Sequence, residues 1–429
     1  MTASHTHAAG NAVPRRTLLA IPLLAIAVAG SLMLVLEHLG GIGLPGCGPE
    51  SACARLAAGR FGNLLGWPVS FLGLAWFSGM LAAWPAVARG GLSRRGVWLI
   101  RLSLAASLLF LGVMLVERKF CPYCGVVHGA NVCLWLLAET LPRTRNSRPA
   151  AGAALAATFL GVSLALLAIE QRSEQAFAAE QWERRTSSIE QIAQISAEAA
   201  EPGRGGFTGA HRQGPARAAL RIVVFLDYQC RDCREAEAEL ARVVAERDDV
   251  SLSFRHLPLC SACNPEIKYD WFHPEACRAA WAAEAVAETA GDEPFHRAHA
   301  WLFERLGRFT EEELLAALPE FGVVDAERFR AASEGEAVRQ RVAEDIALAR
   351  SLGLTGTPAV FVNGVELEGI DEKGAIEQAI RELAAKNLPP RTAAADHPPA
   401  STERLLQKWR ETEPVDLPAG APRWTLGPA

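Results

Sequence analysis

Between Arg15 and Glu170 the chain carries only 18 charged residues in 156, and most of them stand at the ends of long apolar runs. A helix rises 1.5 Å per residue, so crossing about 30 Å of hydrocarbon takes about 20 mostly apolar residues. Residues 17–36, 67–88, 97–116, 122–141 and 150–169 meet or approach that requirement. The fourth is the least apolar, with His128, Asn131 and Glu139, and Arg101 sits one turn inside the third, where it can snorkel. Residues 171–429 hold 73 of the 91 charges, and the net charge changes from +8 in the first region to -13 in the second. Such a chain reads as a membrane-embedded half followed by an acidic soluble half. Without a basic stripe in the soluble part, nucleic acid is not an expected partner.

Arginines orient the bundle. Arg15 and Arg16 precede the first span, Arg89, Arg94 and Arg95 lie between the second and third, and Arg143, Arg145 and Arg148 between the fourth and fifth. With five spans these segments share one side, which the positive-inside rule makes cytoplasmic. The 38–66 loop, the 117–120 turn and everything after Glu170 then face outward. The first apolar run continues to Leu36, past the Ala27-Val28-Ala29 cleavage-like triplet, so it is expected to be an uncleaved anchor rather than a signal peptide.

On this topology nine of the ten cysteines lie on or beside the outer face, where disulfides persist. The exception, Cys133, falls within a span and reads as a small core residue. Cys121 and Cys124 form a C-x-x-C at the start of the fourth span, where unpaired backbone N–H groups suit an attacking thiolate. Cys47 and Cys53 sit in a Gly/Pro-rich loop that can either carry a thiol between two places or be clamped by a static bridge. Zinc is the rival reading of the paired cysteines, but two pairs would have to converge without other ligands, so no metal is expected.

The run CGPESAC from Cys47 to Cys53, GWPVSFLG from Gly66 to Gly73 and FCPYCG from Phe120 to Gly125 resembles the vitamin K epoxide reductase family. The likeness is greatest to bacterial members fused to a thioredoxin-like domain. It implies that Cys124 faces a membrane quinone (ubiquinone or menaquinone), that Cys121 exchanges with Cys53, and that Cys47 meets the soluble domain. Two positions depart from the family pattern: Gly59 stands where a serine is frequent, and His128 where a tyrosine is frequent. Ser70 matches a recurrent family serine, with helix packing as the other reading. Cys124, Ser70 and His128 are thus the candidate quinone contacts.

Residues 171–200 are charged, alanine-rich and helical in pattern, and 201–215 read as linker. The β-branched run 220–227 leads into Cys230-Arg231-Asp232-Cys233 and a helix, the thioredoxin-like order of strand, C-x-x-C and helix. A second strand covers 250–258. Farther on, Thr357-Pro358 introduces a strand over 356–364. Thioredoxin-like folds carry a cis proline here, facing the cysteines and pairing with substrate backbone; an ordinary turn proline is the alternative. The segment 365–369 fits a hairpin return and 372–386 a closing helix. The nearly continuous helical pattern over 275–351 resembles the insertion of DsbA-like proteins. Cys263 and Cys277 resemble the structural disulfide of some DsbA-like relatives, a pairing preferred here to a Cys260–Cys263 active pair, which leaves Cys260 over. His256, His273, His296 and His299 are assigned no chemistry, and His296 and His299 read as surface residues.

The expected architecture is a membrane α-helical bundle, with a four-helix core plus a fifth linking helix, followed by an α/β thioredoxin-like domain with a helical insertion. It divides into a cytoplasmic tail (1–15), a vitamin K epoxide reductase-like membrane domain (16–142) and a linking transmembrane helix (149–170). A stalk and linker (171–215), a DsbA-like domain (216–387) and a Pro-rich, mostly disordered tail (388–429) follow. The expected activity is generation of disulfides in exported proteins at the periplasmic face of the plasma membrane, with membrane quinone as electron acceptor. Catalysis falls to Cys47, Cys53, Cys121, Cys124, Cys230 and Cys233, and substrate contact to Thr357 and Pro358. Sequence leaves two alternatives open: an isomerase or reductase using the same cysteines, and a membrane-anchored binding protein whose cysteines only staple loops or hold metal.

Overall fold

A computed structural model describes residues 15–39, 53, 56, 59, 61–64, 66–118, 120–145, 149–197, 207–268, 273–396, 398, 406 and 409. The chain divides into two units, Met1–Phe177 and Ala178–Ala429.

The first unit is helical. A turn at Arg15–Leu18 leads into α1 (Ala20–His38), followed by α2 (Val69–Gly90), α3 (Arg94–Val116), α4 (Pro122–Glu139) and the start of α5 (Pro149–Ala197). Ser93 caps α3 by accepting from the Gly96 N–H at 3.1 Å, and α4 starts with Cys121 as N-cap and Pro122 as its first residue. Helix α1 packs on α2 and α4, and α3 packs on α4. Close approach depends on small residues: a Cβ on Gly30 would meet Val127 of α4 at 2.6 Å, and one on Gly79 would meet the Leu155 carbonyl of α5 at 2.9 Å.

Among the described residues four helices are long and apolar enough to cross a membrane, α4 not being among them. Its polar side chains are the reason, and they are spent inside the bundle. The buried Asn131 donates to the Ser103 carbonyl at 2.9 Å and the Ser107 hydroxyl at 2.8 Å, and accepts from Ser103 Oγ at 3.1 Å. Glu139 accepts from Arg101 Nε at 2.8 Å and Trp135 Nε1 at 3.2 Å, and Arg143 joins the same carboxylate. Arg101 is therefore paired across α3 and α4. At this end of the bundle Leu92–Ser93 pairs in parallel with Arg143–Thr144, and Trp84 Nε1 donates to the Thr17 carbonyl at 2.8 Å. The three arginine-rich segments thus lie together. At the other end His38 approaches Glu170 to 3.5 Å.

In the second unit five strands form a mixed sheet: β1 (Arg212–Gln213), β2 (Leu220–Leu226), β3 (Val250–His256), β4 (Ala359–Val362) and β5 (Val365–Glu366). Their order is β1-β3-β2-β4-β5, with β2 parallel to β3 and the other pairs antiparallel. Every residue of β2 is buried because both faces of the sheet are covered. Ile222, Val224 and Leu226 enter the main core, while Val223 and Phe225 pack with Phe207, Phe361, Ala349 and Leu352 on the other face. Helix α6 (Arg231–Glu246) follows β2. Between β3 and β4 come α7 (Ala276–Ala290), α8 (Asp292–Glu304), α9 (Glu311–Phe321), α10 (Ala326–Glu334) and α11 (Glu336–Ser351), and α12 (Ala375–Ala384) closes the fold.

This fold takes in more chain than 216–387. Within the expected stalk, the 178–197 part of α5 belongs to the second unit and buries Gln181, Arg185, Ser188, Ile189, Ile192 and Ser196, one helical stripe, inside it. Arg185 donates to the Gly369 carbonyl at 3.1 Å, and Asn363 Nδ2 donates to Ser196 Oγ at 2.7 Å. The presumed linker supplies Phe207 to the core and β1 to the sheet edge. The presumed disordered tail starts as structure: Arg391 exchanges two backbone hydrogen bonds with Ala218, and Asp396 pairs with Arg221 in the interior. A buried charge pair draws chain into a fold that hydropathy alone would not include. Apart from Pro398, Leu406 and Trp409, the remainder of 397–429 lies outside the described residues.

Candidate active sites

Helix α6 starts at the soluble C-x-x-C. Cys230 is its N-cap, and Cys230 Sγ accepts from the Cys233 N–H at 3.3 Å. Across from it, Thr357-Pro358 is a cis peptide, and the Thr357 carbonyl lies 3.5 Å from Cys230 Sγ. The hydrogen bond from Cys233 outweighs burial and, with the Cys233 N–H and Thr357, pulls the Cys230 thiol down to about 6. Burial, then the neighbouring Cys230, pushes Cys233 well above its ordinary value. The result is a sulfur at the helix end that favours its thiolate, with a neighbour that holds its proton.

Two residues that the motif search passed over support this pair. Asp227, buried where β2 ends, accepts from the Gln229 N–H at 2.7 Å and the Leu259 N–H at 2.8 Å. Gln229 in turn accepts from the Glu275 N–H at 2.8 Å, tying α7 to the loop before Cys230. An acid at a strand end three residues before a C-x-x-C was the available signal.

Cys263 and Cys277 are joined by a disulfide that fixes the start of α7, and Cys260 beside them is a buried free thiol. His299 is not a surface residue: it is buried, with Nδ1 2.8 Å from the Tyr228 hydroxyl. His296, one turn earlier, is half-buried. His256 is also buried, and Glu284 holds it at 2.9 Å and His211 at 3.0 Å. Burial opposes the Glu284 charge, but the two rings keep that carboxyl well below the usual range. The positions of His256 on β3 and His299 on α8 turn these two rings inward, where Glu284 and the Tyr228 hydroxyl each meet one ring nitrogen.

In the membrane unit Cys121 caps α4 in the same way, with Sγ accepting from the Cys124 N–H at 3.3 Å. Cys53 and Cys121 are buried together with Met114, and Leu34, Leu56, Leu111, Tyr123 and Cys124 are packed around them. The sulfurs of Cys53 and Cys121 are 2.7 Å apart, and Cys53 is itself disulfide-bonded. Cys47 lies outside the described residues. One turn after Cys124, His128 stacks on Phe110 at 5.6 Å and meets Ser107 Oγ at 3.0 Å. Ser70 is half-buried in the first turn of α2. Cys133 is exposed on α4, not part of the core, because it falls off the buried stripe of Val127, Ala130, Asn131, Leu134 and Ala138.

Residues 17–138 match the vitamin K epoxide reductase family and residues 221–381 the DSBA-like thioredoxin domain. The chain therefore joins a vitamin K epoxide reductase family domain with apolar membrane helices to a DsbA-like thioredoxin domain. Among curated proteins, it is 29% identical over 175 residues to Na(+)/H(+) antiporter NhaA 3 of Salinispora tropica, covering 41% of this chain and 25% of that protein. It is 31% identical over 183 residues to NhaA 1 of Salinispora arenicola, covering 42% and 26%. The chain thus spans about a quarter of the length of these relatives. Among solved structures, Pseudomonas aeruginosa DsbA2 is 25% identical, with 42% of this chain and 98% of that chain covered and a TM-score of 0.33. Bacillus subtilis BdbD in its oxidised form is 22% identical, with 44% and 100% covered and a TM-score of 0.34.

Proposed function

We propose that the protein is a membrane thiol-disulfide oxidoreductase that makes disulfides in exported proteins and delivers the electrons to quinone. A client thiolate attacks Cys230 of the Cys230–Cys233 disulfide, and a second client thiolate releases the domain as a dithiol. That dithiol reduces the Cys47–Cys53 pair. The Cys53 thiolate then attacks Cys121, breaking an oxidised Cys121–Cys124 bond, and Cys47 attacks Cys53 of the resulting mixed disulfide, which re-forms Cys47–Cys53 and leaves Cys121 and Cys124 as a dithiol with two electrons and two protons. Quinone, when bound, supplies the acceptor for both.

The observation that carries this reading is the 2.7 Å approach of Cys53 to Cys121, with Cys53 in a disulfide and Cys121 a thiol. Thiol-disulfide exchange needs that sulfur-to-sulfur line, and the same contact serves either direction. The surroundings of Cys124 suit a lipid-soluble ring: Met114, Leu111 and Leu34 are apolar, and His128 offers a polar ring one turn away. Thr357 and Pro358 stand at Cys230, where a client backbone would pass. The extracytoplasmic, periplasmic placement is supported by the arginine-rich segments at one end of the bundle and the cysteines at the other. Glu170 pairs with His38, so the chain leaves the bundle on the cysteine side. Antiport is the named activity of the curated relatives and is not carried over.

The test is quinone reduction by the purified full chain supplied with a reduced, unfolded client, repeated with each of the six cysteines replaced. Loss in all six supports the relay. Undiminished quinone reduction without Cys53 or Cys121 sinks it.

A further inference from the structure

One ion pair beneath the soluble cysteines has no part in the scheme above. Asp227 touches both through its backbone: its N–H is 3.5 Å from Cys233 Sγ, and its carbonyl accepts from the Cys230 N–H at 3.1 Å. Its side chain is fully enclosed, and its third partner is His273, with Nδ1 2.7 Å from Oδ2. His273 stands just before α7, four residues from the Cys277 disulfide anchor. A buried carboxylate next to a sulfur disfavours the thiolate unless a cation neutralises it.

We propose that His273 is a positioning residue for the Cys230–Cys233 pair: as an imidazolium bound to Asp227, it cancels the carboxylate charge beneath the thiols and so keeps Cys230 reactive. The inference rests on Cys230 and Cys233 being the exchanging pair, but not on quinone, a client or the membrane relay. The electrostatics agree. Burial works against the charged ring, yet Asp227, followed by Cys230, holds His273 above its ordinary value. The other groups acting on Cys230 are Cys233, the Thr357 carbonyl and Asp232 of α6, whose charge opposes the thiolate. Glu275 and Arg278 of α7 pair with each other at 2.9 Å. Coupling between two sites is reciprocal, so the state of Cys230 also sets the affinity of His273 for its proton.

The experiment follows alkylation of Cys230 against pH in the detergent-solubilised full chain, read by mass spectrometry of its peptide. His273→Gln keeps a donor toward Asp227 but removes the charge. The expected result is an upward shift of the Cys230 midpoint by about one pH unit, with about tenfold slower alkylation below it. The Asp227→Asn/His273→Gln double variant, which lacks both charges, returns the midpoint to within a few tenths of wild type. A folded His273→Gln protein with an unmoved midpoint overturns the proposal, as does a double variant that stays as shifted as the single one. A second readout needs no substitution: hydrogen exchange at the His273 imidazole carbon is followed in wild-type protein with Cys230–Cys233 reduced and oxidised. The His273 midpoint is expected to be higher in the reduced form, and equal midpoints also overturn it. Failure of the wild-type chain to reduce quinone, with the Cys230 shift intact, would defeat the relay and leave this inference standing.

Discussion

The two C-x-x-C pairs are built alike and surrounded differently. In each, the first cysteine is an N-cap whose sulfur accepts from the N–H of the second at 3.3 Å. Beyond the cap they diverge. Cys121 faces another sulfur of the same chain, Cys53, in a dry pocket of Met114 and leucines. Cys230 faces the carbonyl of Thr357 and stands on a polar base of Asp227, Gln229 and His273. In the proposed scheme a helix N-terminus supplies the nucleophile in both, while the element opposite selects what it reacts with. There an internal cysteine would make an intramolecular relay, and a backbone carbonyl a docking place for an extended peptide.

The sharpest way to break that comparison is Cys124→Ala with Cys121 intact. Quinone reduction should fall to background, while Cys230–Cys233 still oxidises one equivalent of client; full turnover would show that the membrane pair is not the exit. Next comes Cys53→Ser. Dithiothreitol should still drive quinone reduction through Cys121–Cys124, but reduced client should lose at least about a hundredfold in rate, because only the sulfur opposite Cys121 is missing. Equal loss with both reductants would instead mean a damaged bundle.

The third prediction concerns pH. Cys230 has its folded value lowered from about 9 to about 6, so between those limits the unfolded chain holds a proton that the folded reduced domain lacks. Stability of the reduced domain should therefore rise as pH goes from 6 to 9 and be lost as pH falls through 6, by about 2 kcal/mol after allowing for solvent screening at the sulfur. Thermal melts of the reduced and disulfide forms at several pH values check this, since the disulfide form lacks that thiol. The smallest effect belongs to the polar seam of the bundle. Asn131→Ala removes the side chain that bridges Ser103 and Ser107, and should cost about 1 kcal/mol of bundle stability with the soluble pair untouched. A loss of Cys230 reactivity in that variant would contradict the separation of the two sites.

Much of this was legible from local signals. Runs of 20 apolar residues, strand followed by C-x-x-C, and Thr357-Pro358 before a strand are patterns within a few residues, and the helices, β2, α6 and β4 appear where those patterns lie. The inserted helices α7–α11 likewise follow from periodicity. His299 misled because i, i+3 spacing names a helix face without saying what packs on it, and α8 turns that face toward Tyr228. Cys133 misled for the same reason in reverse, lying in an apolar run yet off the packed stripe. The stalk, linker and tail were too polar to read as core, but Arg185, Arg221 and Asp396 are buried because partners distant in sequence satisfy them.

By itself, the amino-acid order determined that part of this chain enters a membrane, that a thioredoxin-like fold follows, and which cysteines come in pairs at helix starts, because each depends on spacing over at most a few turns. The family resemblance implied that Cys121 exchanges with Cys53, but the contact itself, like that of His273 with Asp227, comes only from tertiary structure. Those are contacts between residues tens of positions apart, and chain folding, not periodicity, brings such residues within bonding distance.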